Sequence, residues 1–297
     1  MPERLLSKTI AIPLLAIALL LAGLDVARAR LRDHRISTGK TIAAQPSTKR
    51  ATHPLDPLNT AAMRRYIASR SGDITVAVEN LRTGRTYLWN PGERAQTGSI
   101  IKADILETLL RQAMVSHTPL SESTADVVQG MIEDSDNDDA TELWNQVGGA
   151  GAVSAYNQLV GMTQTDPNTE GYWGETTTSA LDQIRLLREL VDRHGLLDSA
   201  SQRYQLGLMK NVVSGQNWGV SAGLPAGVSV ALKNGWTPLT SNTDWEVNSI
   251  GRIKGDDRWY LIAVLTAHDP SEQYGIDTIQ GISSLAWDAL RAPERAS

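Results

Sequence analysis

Between Ser99 and Val213 the chain carries one helical pattern after another, and strand patterns stand on both sides of that block. No other feature constrains the fold as much. Ahead of it, "PLNTAAMRRYIASR" has helical spacing through Ala62, Met63, Tyr66 and Ile67. "DITVAVENL" and "RTYLWN" then read as two strands joined by a hairpin at Arg82-Thr83-Gly84-Arg85. Within the block the clearest helices are "SIIKADILETLLRQAM", "SESTADVVQGMIED", "DATELWNQV", "GAVSAYNQLVGM" and "TSALDQIRLLRELVDRHG". Behind it, "GVSVALKNG", "DWEVNSIGRIKG" and "RWYLIAVLTAHD" read as strands, and "SEQYGIDTIQGISSLAWDALR" as a closing helix. Runs of strands and helices, rather than strict alternation, predict an α+β layout. The expected architecture is an antiparallel sheet of about five strands with the N- and C-terminal helices on one face. An all-helical subdomain, about residues 99–213, is inserted between strands 2 and 3. A cleft between sheet and insert is the expected place for a site.

The N-terminus reads as an export signal. Arg4 and Lys8 precede an uncharged apolar run from Ile10 to Leu24, and Ala27-Arg28-Ala29 offers a small-x-small cleavage site. The run is shorter than the ~20 residues a spanning helix needs, and Pro13 interrupts it. Cleavage of residues 1–29 is expected, with retention as an uncleaved anchor as the alternative. Residues 30–56 are polar and basic and read as a linker, leaving 57–297 as the folded domain. The expected location is outside the cell or on the exterior of its envelope.

Charge separates the two parts. Residues 1–50 carry a net +6 and the rest a net −11, within a total of −5. An acidic domain argues against nucleic-acid partners. The chain has no cysteine, which excludes disulfides, thiolate nucleophiles, cysteine-zinc sites and a lipid-modified cysteine. Asp134, Asp136 and Asp138 alternate like a calcium loop, but Asp139 and Asn145 stand where that loop needs Gly and Glu. The five histidines show no metal-ligand spacing. No metal and no cofactor is expected, and a monomer is.

One literal motif is misleading. Gly219-Val220-Ser221-Ala222-Gly223 matches the G-x-S-x-G nucleophile elbow. An elbow needs a strand before it and a helix after it. Here a helical pattern precedes, and Pro225 and Gly227 forbid an immediate helix. Ser221 is read as part of a Gly-rich loop.

A second serine stands in a better setting. Ser99-Ile100-Ile101-Lys102 is an S-x-x-K motif at a helix start, where residues i and i+3 are surface neighbours. Free N–H groups at a helix start favour an oxyanion. The apolar remainder of the helix (Ile105, Leu106, Leu109, Leu110) predicts a desolvated Lys102 with a lowered pKa, suited to act as a base. Ser135-Asp136-Asn137 follows in the helical insert, and Lys233-Asn234-Gly235 ends a predicted strand. S-x-x-K, S-D-N and K-[T/S]-G in this order form a recurring set. Over about residues 57–292 the chain resembles the class A β-lactamases and penicillin-binding proteins.

The resemblance implies roles. Ser99 is the nucleophile, Lys102 its base, and Ser135 the relay to the leaving group. Asn137 holds the substrate amide or the Lys102 amine. Lys233 and Asn234 take the substrate carboxylate, Gly235 lies beside them, and the N–H groups of Ser99 and Trp236 form an oxyanion hole. Asp136 is read as a local cap, and Trp173, Trp218 and Trp236 as candidates to line the pocket. Two departures stand out. Asn234 replaces the family's hydroxyl residue. The family's deacylating Glu has no clear counterpart in "QTDPNTEGYWGETTTSALD", where Glu170 is the choice and Glu175 the other candidate. The implied function is a serine hydrolase acylated by a β-lactam or a peptidoglycan-peptide-like amide, as in antibiotic-resistance enzymes. The alternatives are a D,D-peptidase-type protein with slow deacylation, and a catalytically weak cell-wall-binding module on the same fold.

Overall fold

The computed structural model describes residues 56–239 and 243–290. The signal and nearly all of the linker lie outside them. Asp56 accepts from the Leu58 N–H and opens a short 3-10 turn at Pro57–Asn59. Thr60 then caps α1 (Ala61–Ala68) by accepting from the Met63 N–H. Two strands follow, β1 (Asp73–Asn80) and β2 (Arg85–Trp89), joined by the expected hairpin.

The helical insert contains α2 (Ile101–Ser116), α3 (Glu122–Gln129), α4 (Asn137–Val147), α5 (Gly149–Leu159), α6 (Ala180–Glu189) and α7 (Ser199–Lys210). It is not helical throughout. The two-residue strand β3 (Ala95–Gln96) pairs antiparallel with β4 (Thr177–Thr178), tying the chain just before Ser99 to a loop about eighty residues later. Two residues per strand are too few to leave a readable period. The insert is followed by β5 (Ser229–Pro238), β6 (Trp245–Gly255), β7 (Arg258–Asp269) and α8 (Glu272–Ala289).

The five long strands form one antiparallel sheet in the order β2-β1-β7-β6-β5. Side chains alternate across a sheet, and here each face feeds its own core. Ala77, Ile250, Leu261, Ala263 and Leu265 pack with the helical insert. Val76, Val78, Leu232, Ile262 and Val264 pack with residues of α1 and α8. That is why β1 and β7 read as nearly unbroken apolar runs. α2 is buried on every side from Ile101 to Leu110 and forms the axis of the insert. The edge strand β5 runs beside the turn that leads into α2, and this contact carries the site. Among the described residues no helix is long and apolar enough to cross a membrane.

Candidate active site

Ser99 is half-buried on a 3-10 turn, Gly98–Ile100, which feeds directly into α2. Its chain is held from three sides. Asn248 Nδ2 on β6 donates to the Gln96 and Thr97 carbonyls at 2.8 and 3.2 Å. Glu246 Oε2 accepts from the Gln96 N–H at 2.5 Å. The Thr97 N–H donates to the Thr176 carbonyl at 2.8 Å. On the fourth side the turn meets β5 backbone to backbone. A Cβ on Gly235 would lie 2.6 Å from the Ser99 nitrogen, and one on Gly98 would lie 2.8 Å from the Trp236 nitrogen. Gly98 also has φ +51, in the left-handed region. The backbone nitrogens of Ser99 and Trp236 therefore share one seam.

One helical turn on, Lys102 is fully buried. Its Nζ donates to the Ser135 carbonyl at 2.6 Å, to Asn137 Oδ1 at 2.7 Å and to Ser135 Oγ at 3.2 Å. Burial pulls its pKa down to about 7, against the opposing fields of Asp136 and Asp139. A substantial share of neutral amine is thus present at neutral pH. Lys233 enters from β5, its Nζ 2.8 Å from Ser135 Oγ and 3.2 Å from the Asn234 carbonyl. Its pKa is also lowered, first by burial and then by the nearby Lys102 charge.

Ser135 receives both lysines because its backbone is left-handed, with φ +61, closing a single π-helical turn at Gly130–Asp134. A non-glycine residue held there is a stored strain that marks functional positions. Asp136 then caps α4 by accepting from the Asp139 N–H at 2.9 Å, as expected.

The structure thus joins Lys102, Ser135, Asn137 and Lys233 by direct hydrogen bonds, and brings Gly235 and Trp236 against Ser99. Two expected residues are placed otherwise. Asn234 points to the opposite face of β5 from Lys233, where its Nδ2 donates to the Gln216 and Trp218 carbonyls at 2.7 and 3.2 Å. Its amide holds that loop. Glu170 is exposed, and its own N–H is tied to Asn168 Oδ1. Glu175 is exposed as well. In their stead Trp173 lies over the lysine, its ring centroid 5.0 Å from Lys102 Nζ. Its Nε1 donates to Thr141 Oγ1, which donates to the Asn137 carbonyl. The sequence reading missed Asn248 and Thr97. A buried Asn inside an apolar strand pattern was the available signal. Ser221 sits on a 3-10 turn, Gly219–Ser221, with no strand before it, so the elbow reading fails in the structure too.

Residues 115–290 match the model of the β-lactamase enzyme family. This chain belongs to that family. The matched span contains Ser135, Asn137 and Lys233, and begins after Ser99 and Lys102. Among relatives, the chain is 28% identical over 203 residues to a protein named "Putative lipoprotein LppW" from Mycobacterium bovis. That match covers 66% of this chain and 64% of the relative, somewhat less than two thirds of its length. Among solved structures, the TLA-1 extended-spectrum β-lactamase aligns with TM-score 0.72 at 18% identity, covering 80% of this chain and 99% of that one. A mutant of PBP-A, solved as an acyl-enzyme complex with penicillin G, aligns with TM-score 0.67 at 20% identity, covering 77% and 94%. The chain therefore has the β-lactamase fold. Among the described residues no group of three His, Asp or Glu is placed to hold a metal ion.

Proposed function

We propose that this β-lactamase-family protein is an exported serine hydrolase that forms an acyl-enzyme at Ser99 and releases it slowly. The convergence of Lys102 and Lys233 on Ser135 Oγ supports the acylation half. Neutral Lys102 takes the Ser99 proton as Oγ attacks the amide carbonyl. The Ser99 and Trp236 N–H groups stabilise the oxyanion. As the carbon–nitrogen bond breaks, the proton passes through Ser135 to the leaving nitrogen.

Slow release rests on Trp173. Deacylation needs a water and a base to activate it. The Trp173 indole lies over Lys102, and both candidate glutamates are exposed. The fold neighbour PBP-A, solved with penicillin G bound covalently, suits a long-lived adduct. The lipoprotein name of the mycobacterial relative and the N-terminal apolar run both suit a place on the envelope exterior. This favours the penicillin-binding-type reading over an efficient β-lactamase. Intact-mass spectrometry of the protein with a penicillin, followed over time, tests it. The expected result is an adduct that forms and persists, and is absent from Ser99→Ala. An adduct that clears within minutes would restore the β-lactamase reading. No adduct at all would leave the fold as a binding module.

A further inference from the structure

The sheet face that carries Lys233 continues away from the site and ends in a charge with no counter-charge. Residues paired across neighbouring strands share a face. Lys233 pairs with Ile250, Ala231 with Arg252, and Ser229 with Lys254, in successive rows. On the β7 side, Arg252 pairs with Leu261 and Lys254 with Trp259. Ala231, Ile250 and Leu261 all pack with the helical insert, so Arg252 lies on that side of the sheet. Ser229 is four residues from Lys233, about 14 Å along an extended strand, which sets the outer row apart from the cleft.

Arg252 is only 7% exposed. Its Nη2 donates to Ser229 Oγ at 3.2 Å, and its Nε is buried with no partner. Among the described residues no carboxylate forms an ion pair with it. Burial lowers its pKa, and no charged neighbour contributes. A buried cation without a partner is costly, and such charges are ordinarily paired. Lys254, two residues on and on the same face, is exposed and has no ion-pair partner among the described residues either. Its Nζ lies 5.2 Å from the Trp259 ring centroid, and Trp259 Nε1 is itself buried and unpartnered. Beside them is a cavity of about 420 Å³ lined by Leu81, Arg82, Lys254, Asp256, Asp257 and Trp259. Its acids are already matched, Asp256 with Arg258 at 2.5 Å and Asp257 with Arg82 at 3.5 Å. Arg252 and Lys254 are left over, in a part of the chain that is otherwise acidic.

We propose that this end of the sheet binds an organic oxyanion, a carboxylate or phosphate held by Arg252 and Lys254, with its body against Trp259. Guanidinium and ammonium groups both favour such oxygens, and an indole suits a flat apolar body. The ligand supplies the counter-charge that the chain does not. The site is separate from the Ser99 chemistry and does not depend on it. Ligand-observed NMR measures binding of benzoate, phenyl phosphate, acetate and benzyl alcohol to the protein. Benzoate or phenyl phosphate is expected to bind at millimolar concentration, and the tighter of the two identifies the oxyanion. Acetate lacks the body and benzyl alcohol lacks the charge, so each should bind about tenfold more weakly or worse. Lys254→Met should weaken the better anion about tenfold, and Arg252→Met should abolish its binding. That anion should raise the melting temperature of the wild type and not of Arg252→Met. If Arg252→Met does not fold, Lys254→Met, changed at an exposed position, decides alone. Acetate or benzyl alcohol binding as tightly as the better anion overturns the proposal. So does anion binding that both variants leave unchanged, or binding of neither benzoate nor phenyl phosphate at millimolar concentration.

Discussion

Lys102 and Lys233, from different halves of the molecule, meet at a single oxygen, with their Nζ atoms 3.2 and 2.8 Å from Ser135 Oγ. Two ammonium groups so close repel each other and both lose hydration. Each lysine's pKa is lowered by burial, and that of Lys233 further by Lys102. The arrangement holds Ser135 in place and favours a neutral amine at Lys102, three residues after Ser99. Ser135→Ala should therefore lower the acylation rate by about 100-fold or more, the scale of one lost proton-transfer group. Its melting temperature should change little, since the left-handed backbone remains. Stopped-flow acylation and thermal melts measure the two separately.

The Lys102 pKa of about 7 sets a direction for pH dependence. The neutral amine is the active form, so acylation should rise as pH passes through about 7 and level off above it. Lys102→Arg keeps a charge but cannot deprotonate in this range, and should abolish acylation at every pH. A rate that falls between pH 6 and 8, values that bracket the lysine's transition, would remove Lys102 from its role as base.

Below the site, α2 buries an acid. Asp104 is fully buried beside Asn157, and burial raises its pKa to about 7, with Asp182 adding to the rise. Glu107, bonded to Tyr156 at 2.7 Å, is raised for the same reason, with Asp104 and Glu189 contributing. A raised carboxyl holds its proton in the folded state after the unfolded chain has released it. Stability from Asp104 is therefore complete below about pH 4 and is lost as pH climbs toward 7. Asp104→Asn should flatten that slope and raise the melting temperature at pH 8, where the wild-type carboxylate is ionised. A variant that melts lower at pH 8 than the wild type would contradict this.

Glu170 and Glu175 are exposed, apart from the lysine network. Glu170→Gln and Glu175→Gln should each alter the adduct lifetime less than twofold. A lifetime lengthened tenfold by either would identify it as a deacylation base.

The glycine seam is tested by Gly235→Ala. Its added methyl would meet the Thr97 oxygen at 2.5 Å and the Ser99 nitrogen at 2.6 Å. Overpacking of this kind costs about 1–3 kcal/mol. Because it forces β5 away from Ser99, acylation should fall far more than stability does. Equal loss of both would mean that the seam is only structural.

Much of the molecule could be read from its sequence for local reasons. Ser99 and Lys102 are one helical turn apart, and helix periodicity alone places them together. The strands on both sides of the insert are legible because their apolar runs of eight to twelve residues are long and bounded by turn residues. Tertiary structure decided what depends on contacts between distant segments. That Asn234 serves the 216–218 loop follows from which face of β5 it occupies once β5 pairs with β6, and no local pattern carries that register. That Trp173 rather than Glu170 covers Lys102 follows from a two-residue pairing of β3 with β4, which pins the loop to the chain ahead of Ser99. The sequence by itself determined the types and order of the groups that could react. The fold decided which of them point into the cleft, because facing is set by packing across the whole chain.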